Sequence, residues 1–200
     1  MIYLLRHGQT HFNLERRIEG SLDSPLTSLG REQMRAAGER LRGMLAPETL
    51  NGEAEYQILS SPQPRAHQSA LILREAMGAD KPVITDARLA EVGCGSWEKH
   101  HYASICARDP LVEEEPTFLS AWAHHCLDGE GLDTAVERLW CWLRWAGNAR
   151  LIVVGHGISG AILRALYAGE GRDAMLAHHT IEPDCIHRLE RGWVEEIAVD

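Results

Sequence analysis

The chain opens on an apolar run, Ile2 to Leu5, that stops abruptly at Arg6-His7-Gly8. A short, continuous apolar stretch of this kind reads as a strand buried on both faces. Residues 9–26 are polar and broken by glycine and proline, which predicts a loop. Thr27 then stands as the N-cap of a helix over about 28–46, closed by Pro47. Tyr56 to Leu59 is a second strand. Ser61-Pro62 reads as the N-cap and first position of a helix that runs through Ala66, Ala70 and Leu73 to a cap at Gly78. Pro82 to Thr85 predicts a short strand, placed at an edge because proline has no N–H for a central ladder.

Regular patterning then lapses over 91–131, a stretch of glycines, prolines, acidic residues and paired histidines that predicts short helices. It resumes with apolar residues at 132, 136, 139, 143 and 146, a helical stripe. Trp140 lies beside that stripe and is expected in the core, whereas Trp145 projects from the opposite side. Leu151 to Val154 is another apolar strand, and it ends in Gly155-His156-Gly157. A helix over Ile158 to Tyr167 follows, then strands over Ile186 to Leu189 and Trp193 to Val199 around Arg191-Gly192. Strands alternating with helices predict an α/β fold, a mostly parallel central sheet with helices on both faces. No repeat or linker interrupts the 200 residues, so a single domain over 1–200 is expected.

Composition narrows the partners. Lys and Arg number 20 against 29 Asp and Glu, a formal charge of −9. Such a surface repels a phosphate backbone and argues against nucleic acid. Any anion site must then be a local basic pocket. Five widely spaced cysteines without a CxxC pair suit reduced thiols in a cytoplasmic protein. The opening MIYLLRHG is too short an apolar stretch for a signal peptide, and nothing reaches the length of a membrane span. The pairs His100-His101, His124-His125 and His178-His179 do not suit a metal, because adjacent side chains diverge. Glu113 to Glu115 reads as a solvated face.

Ligands of open α/β sheets bind beyond the C-terminal ends of the strands. Two apolar strands here end in a histidine with glycine beside it, at His7 and His156. The second histidine also opens a helix, whose N–H groups and dipole favour an anion. Arg65 lies in the first turn after the second strand. Arg6, His7, Arg65 and His156 should therefore meet at one mouth. Two guanidiniums and two imidazoles suit a phosphoryl group: arginine grips phosphate oxygens bidentately, and a neutral imidazole is a good nucleophile at pH 7. Glu91, in a glycine-rich loop, is the candidate proton donor to the leaving alkoxide.

These residues carry a resemblance. Leu5-Arg6-His7-Gly8-Gln9-Thr10, Asn13, Arg17, Gly20, Asp23, Pro25-Leu26-Thr27 and Gly30 resemble the first block of the histidine phosphatase superfamily, also called phosphoglycerate mutase-like. Ser61-Pro62, Arg65-Ala66 and Gln68-Ser69-Ala70 resemble its second block. Leu89, Glu91, Gly95 and Trp97-Glu98 resemble the region of its proton donor, and Val153 to Gly157 that of its second histidine. The resemblance implies a three-layer sandwich with a small cap insertion at about 92–131. It implies that His7 is phosphorylated, that Arg6, Arg65, His156 and Gly157 hold the phosphate, and that Glu91 is the acid/base. Asn13 and Gly20 would line the entrance, and neither metal nor other cofactor would be needed. Glu19 departs from the pattern, standing where glutamine is frequent; Lys99, the run Asp128 to Gly131, Ala161 and Asp184 also depart.

Three activities follow from the resemblance. The first is hydrolysis of a small phosphomonoester, with monomer and homodimer both open. Gly95-Ser96-Trp97-Glu98, His100-His101 and Gly129-Glu130-Gly131 are similar to the alpha-ribazole phosphatase branch of cobalamin biosynthesis, so alpha-ribazole phosphate is one substrate to expect. The second is a bisphosphoglycerate-dependent mutase, which needs extra cations for a second phosphate; here 92–131 offers only Lys99 and Arg108 besides histidines. The third is a phosphate-binding relative without catalysis.

Overall fold

The computed structural model describes residues 1–45 and 56–199. The elements run β1 (Ile2–Arg6), α1 (His11–Leu14), α2 (Ser28–Met44), β2 (Gln57–Ser60), α3 (Pro64–Met77) and β3 (Ile84–Thr85). Two 3₁₀ turns follow, Ala87–Leu89 and Gly95–Trp97. Then come α4 (Tyr102–Cys106), α5 (Leu111–Glu114), α6 (Phe118–His125), α7 (Leu132–Ala146), β4 (Leu151–Gly155), α8 (Gly157–Ala168), α9 (Arg172–Leu176), β5 (Cys185–Glu190) and β6 (Trp193–Ala198).

The strands form one sheet in the order β3-β2-β4-β1-β5-β6. The first four are mutually parallel, and β5 and β6 close the sheet antiparallel. β3 is an edge strand, as the proline before it predicts. The period-2 alternation of the strands sorts side chains into two cores. Ile2, Leu4, Leu151 and Val153 face one way, against Leu139, Trp142, Ile158 and Ile162 of α7 and α8. Tyr3, Leu5, Ile152 and Val154 face the other way, against Ala37 and Leu41 of α2 and Ala70 and Leu73 of α3. Three layers result. Trp97, Val112, Leu119 and Trp122, from the irregular stretch, join the first core, so that stretch packs against the α7/α8 layer.

Several boundaries differ from the sequence reading for identifiable reasons. The helix after β2 starts later than Ser61-Pro62: Gln63 is its N-cap and Pro64 its first residue. Thr27 caps α2 by accepting from the Gly30 N–H at 3.0 Å. The proposed stop at Pro47 lies outside the described residues. The predicted loop 9–26 contains α1, where Thr10 and Asn13 form a capping box.

Trp140 is the clearest correction. The buried residues of α7 are Leu132, Ala135, Leu139, Trp142 and Ala146. This i, i+3, i+7 track leaves Trp140 47% exposed and makes Trp142 fully buried. Trp145 is exposed, and the Arg88 guanidinium lies 5.1 Å from its ring centre. Glu115 is not part of a solvated face. It accepts from Ser120, His124 (2.9 Å) and His125 (3.1 Å), and these bonds hold its carboxyl down at about 2. All five cysteines are unpaired. Among the described residues no helix is long and apolar enough to cross a membrane.

Candidate active site

The C-terminal ends of β1, β2 and β4 surround a cavity of about 430 Å³, lined by Arg6, His7, Asn13, Gly20, Arg65, Glu91 and Gly157 among others. Seven of the eight predicted site residues thus share one hollow. His156 does not reach the cavity wall. It lies directly behind, fully buried, with its ring centre 5.1 Å from that of His7.

Close backbone approach sets His7 in place. A Cβ on Gly8 would fall 2.1 Å from the Gly30 carbonyl oxygen, so glycine lets the β1 exit lie against the start of α2. The Gly8 N–H is held by Ser69 Oγ at 3.1 Å. His7 Nδ1 lies 2.8 Å from the Gly8 carbonyl, and Arg65 Nε donates to His7 Nε2 at 3.2 Å. A guanidinium can only donate, so Nε2 accepts and Nδ1 carries the proton to Gly8. Burial, then the charges of Arg6 and Arg65, push the His7 imidazole well below its ordinary range. His7 is therefore neutral, with its Nε2 lone pair engaged by Arg65 Nε, and becomes a nucleophile once that bond is exchanged for an electrophile.

Arg65 is completely buried and held from several sides. It donates to the carbonyls of Leu22 and Gly20 (2.9 Å) and lies 3.4 Å from Asp23. Asp23 also accepts from the Arg65 backbone N–H at 3.1 Å, tying the first turn of α3 to the loop before it. Arg6 donates to the Ile181 carbonyl at 3.1 Å and lies 3.8 Å from Glu182. His156 is likewise held neutral by burial, then by Arg65, His7 and Arg6. Among the described residues neither of its ring nitrogens has a partner.

The N-terminus of α8, expected from the sequence to favour an anion, is already taken. In the structure Glu91 occupies it: Oε2 accepts from the Ile158 N–H at 3.0 Å and Oε1 from the Ser159 N–H at 2.8 Å. Oε1 also accepts from the Val92 N–H at 3.1 Å. Its two lone pairs are then engaged, and Oε2 keeps one free for a proton. Gln63 steers this residue, accepting from the Glu91 N–H at 2.8 Å while donating to the Gly20 carbonyl at 3.1 Å.

Four of the wall residues outside the predicted site bear directly on its charge and reactivity. Glu19, 7% exposed, lines the cavity with Oε2 3.7 Å from His7 Nε2. Arg16 and Arg17 supply cations from the segment after α1, whereas Lys99 and Arg108 of the cap do not line the cavity. Cys94 is the fourth. Burial, then Glu91, push its thiol well up, so it stays protonated and does not compete as a nucleophile. Among the described residues no three His, Cys, Asp or Glu side chains are grouped to hold a metal ion. His124 and His125 share Glu115 instead, and His178 pairs with Glu170 at 2.5 Å.

The chain is 34% identical to a protein of Citrobacter koseri named probable phosphoglycerate mutase GpmB, over all of this chain and 92% of that one. Among solved structures it resembles YhfR of Bacillus stearothermophilus, with 27% identity, a TM-score of 0.76, and coverage of 98% and 95% of the two chains. A mycobacterial glucosyl-3-phosphoglycerate phosphatase solved with VO3 is 28% identical, with a TM-score of 0.74 over 98% and 96%. The alpha-ribazole phosphatase of Shigella flexneri, at 21% identity and a TM-score of 0.70 over 98% and 94%, shares the fold. The family model of the histidine phosphatase superfamily, branch 1, matches residues 2–193, and the chain belongs to that superfamily.

Proposed function

We propose that this protein is a metal-independent phosphatase that hydrolyses a small phosphomonoester through a phosphohistidine on His7. The observation that carries the reading is the lone pair of His7 Nε2, buried at the base of the cavity and 3.2 Å from a guanidinium that can only donate to it. Arg6 and Arg65 would neutralise the equatorial oxygens, the role a metal plays in other phosphoryl transfers. Nε2 attacks phosphorus as the P–O bond to the alcohol breaks, and Glu91 Oε2 gives its proton to the alkoxide. Glu91, now a carboxylate, takes a proton from water as the water attacks the phosphohistidine, releasing phosphate and restoring both groups.

The outer wall suggests the alcohol. Tyr102 and Phe118 line it with ring centres 5.2 Å apart, next to Ile18. An alcohol bearing a flat apolar ring fits this wall, so alpha-ribazole phosphate belongs in a substrate panel with simple aryl phosphates. Phosphate release should persist in EDTA and vanish in His7→Ala, and the phosphoenzyme should be acid-labile and base-stable. Activity abolished by EDTA, or labelling that survives His7→Ala, would overturn the reading.

A second reading is a bisphosphoglycerate-dependent phosphoglycerate mutase. It is favoured by the names of the sequence relatives and by Arg16 and Arg17 at the rim, which could receive a second phosphate. Interconversion of 2- and 3-phosphoglycerate with bisphosphoglycerate present, outpacing phosphate release, would establish it instead.

A further inference from the structure

Glu19 is a buried carboxylate where an anion is expected to bind. Its Oε1 accepts from the Thr10 hydroxyl and its Oε2 from Asn13 Nδ2 at 3.0 Å. Oε2 also lies 3.7 Å from His7 Nε2 and 3.6 Å from Arg65 Nε. With the 3.2 Å between those nitrogens, the three atoms form a nearly equilateral triangle. A phosphoryl group that displaces Arg65 Nε from the lone pair therefore brings an oxygen against Glu19 Oε2.

The surrounding charges do not absorb that encounter. The groups facing Glu19 are His7, which is neutral, the uncharged Thr10 and Asn13, and Arg65. Arg65 already faces Asp23 at 3.4 Å, and Arg6 faces Glu182 at 3.8 Å. Arg16, Arg17 and Glu91 line the same cavity, and Arg17 is paired with Glu15 at 2.8 Å. A dianion would thus meet two deep cations that already share three carboxylates. Two anions cannot sit in contact in a buried site unless one takes a proton.

We infer that Glu19 couples phosphate binding to the uptake of one proton: the acid form donates its O–H to a phosphoryl oxygen, whereas the carboxylate repels it. This rests on the phosphohistidine reading for its catalytic consequence, though not for the binding step. The proton arrives from solvent or with a monoanionic ester and leaves when phosphate departs. The site is then tuned to acid conditions, and kcat/KM falls with rising pH because the free enzyme must gain a proton to bind.

The test compares wild type with Glu19→Gln, whose amide donates without a charge. Profiles of kcat/KM for p-nitrophenyl phosphate from pH 5 to 9 should fall about tenfold per pH unit on the alkaline side in wild type. In Glu19→Gln that fall should be absent, leaving the variant roughly tenfold or more faster at pH 8. Titration calorimetry of inorganic phosphate at pH 8, in two buffers of different ionisation enthalpy, should count about one proton taken up by wild type and none by the variant. Glu19→Ala should likewise lose the uptake, which separates removal of charge from the shape of the amide. Parallel pH profiles, or equal uptake in all three proteins, would overturn the inference. If wild type hydrolyses no ester at any pH, the phosphatase reading fails on its own, and the proton count still decides the role of Glu19.

Discussion

Gly20→Ala would test how backbone geometry reaches the chemistry. Gly20 has φ +55°, a left-handed conformation that costs an alanine roughly 1 kcal/mol. Its new Cβ would also fall 2.3 Å from Glu98 Oε1 and 2.9 Å from the Cys94 nitrogen. Glu98 Oε1 accepts from the Ser21 N–H at 2.8 Å and the Cys94 N–H at 3.0 Å, so displacing it orphans a donor beside the buried Cys94. Bonds to a charged acceptor and an unsatisfied buried donor are each worth about 1–3 kcal/mol. The total is roughly 3–7 kcal/mol. At about 2–4 °C per kcal/mol for a chain of this length, Tm should fall by roughly 6–28 °C. The Gly20 carbonyl holds both Arg65 Nη2 (2.9 Å) and, through Gln63, the backbone of Glu91. A displacement of order 1 Å there should lower kcat/KM about a hundredfold. Calorimetry gives the first quantity, and steady-state kinetics well below Tm gives the second. Adding Glu98→Ala removes half of the collision, so the double variant should be more stable than the sum of the two single effects predicts. A Tm within 2 °C of wild type would refute the steric argument. A large fall in Tm with unchanged kcat/KM would refute the link from Gly20 to Arg65 and Glu91.

Glu91→Gln should cost about 10²–10⁴ in kcat with alkyl phosphates and markedly less with p-nitrophenyl phosphate, whose leaving group needs little protonation. Equal losses with both would remove Glu91 as the acid. His187 is buried, and burial first, then Arg164 and His178, push its imidazole down to about 4. The native state thus refuses a proton that the unfolded chain accepts near 6.5. Its contribution to stability is complete above that value and lost as pH falls through about 4, up to roughly 3 kcal/mol. In His187→Leu, urea midpoints measured from pH 7 to 4 should decline less steeply than in wild type. Trp142→Ala should destabilise by about 3–5 kcal/mol and Trp140→Ala by under about 0.5 kcal/mol, measured by denaturant unfolding. A larger effect at Trp140 would contradict the assigned face of α7.

The main strands and helices, the mostly parallel sheet and the mouth of the site were within reach of the sequence because they follow from local periodicity. Apolar runs such as Leu151 to Val154 have no other stable place than a sheet covered on both sides. The histidines at the ends of two such runs then share one sheet edge, whatever the loops do. Glu19, Arg16 and the docking of Glu91 onto α8 were not within reach. Each depends on where a loop without periodicity lies in space. Trp140 failed for a different reason: adjacent helical positions differ by about 100°, so a stripe placed one residue off changes which tryptophan is buried. Glu115 looked solvated because a run of three acids has no pattern of its own, and only the fold brings Ser120, His124 and His125 to its last member.

The way the deep cations are held bears on the proposed anion site in a chain of net charge −9. An arginine fixed by carboxylates alone would be neutralised before substrate arrived. Here the guanidinium of Arg65 is oriented mainly by the carbonyls of Leu22 and Gly20, and that of Arg6 by the carbonyl of Ile181. Carbonyl dipoles fix direction without cancelling a full charge, whereas Asp23 at 3.4 Å and Glu19 at 3.6 Å from Arg65, and Glu182 at 3.8 Å from Arg6, each offset part of it. Glu19 breaks this arrangement. Its Oε2 is set 3.7 Å from His7 Nε2, the position at which the inferred proton would compensate for the charge of a phosphoryl group.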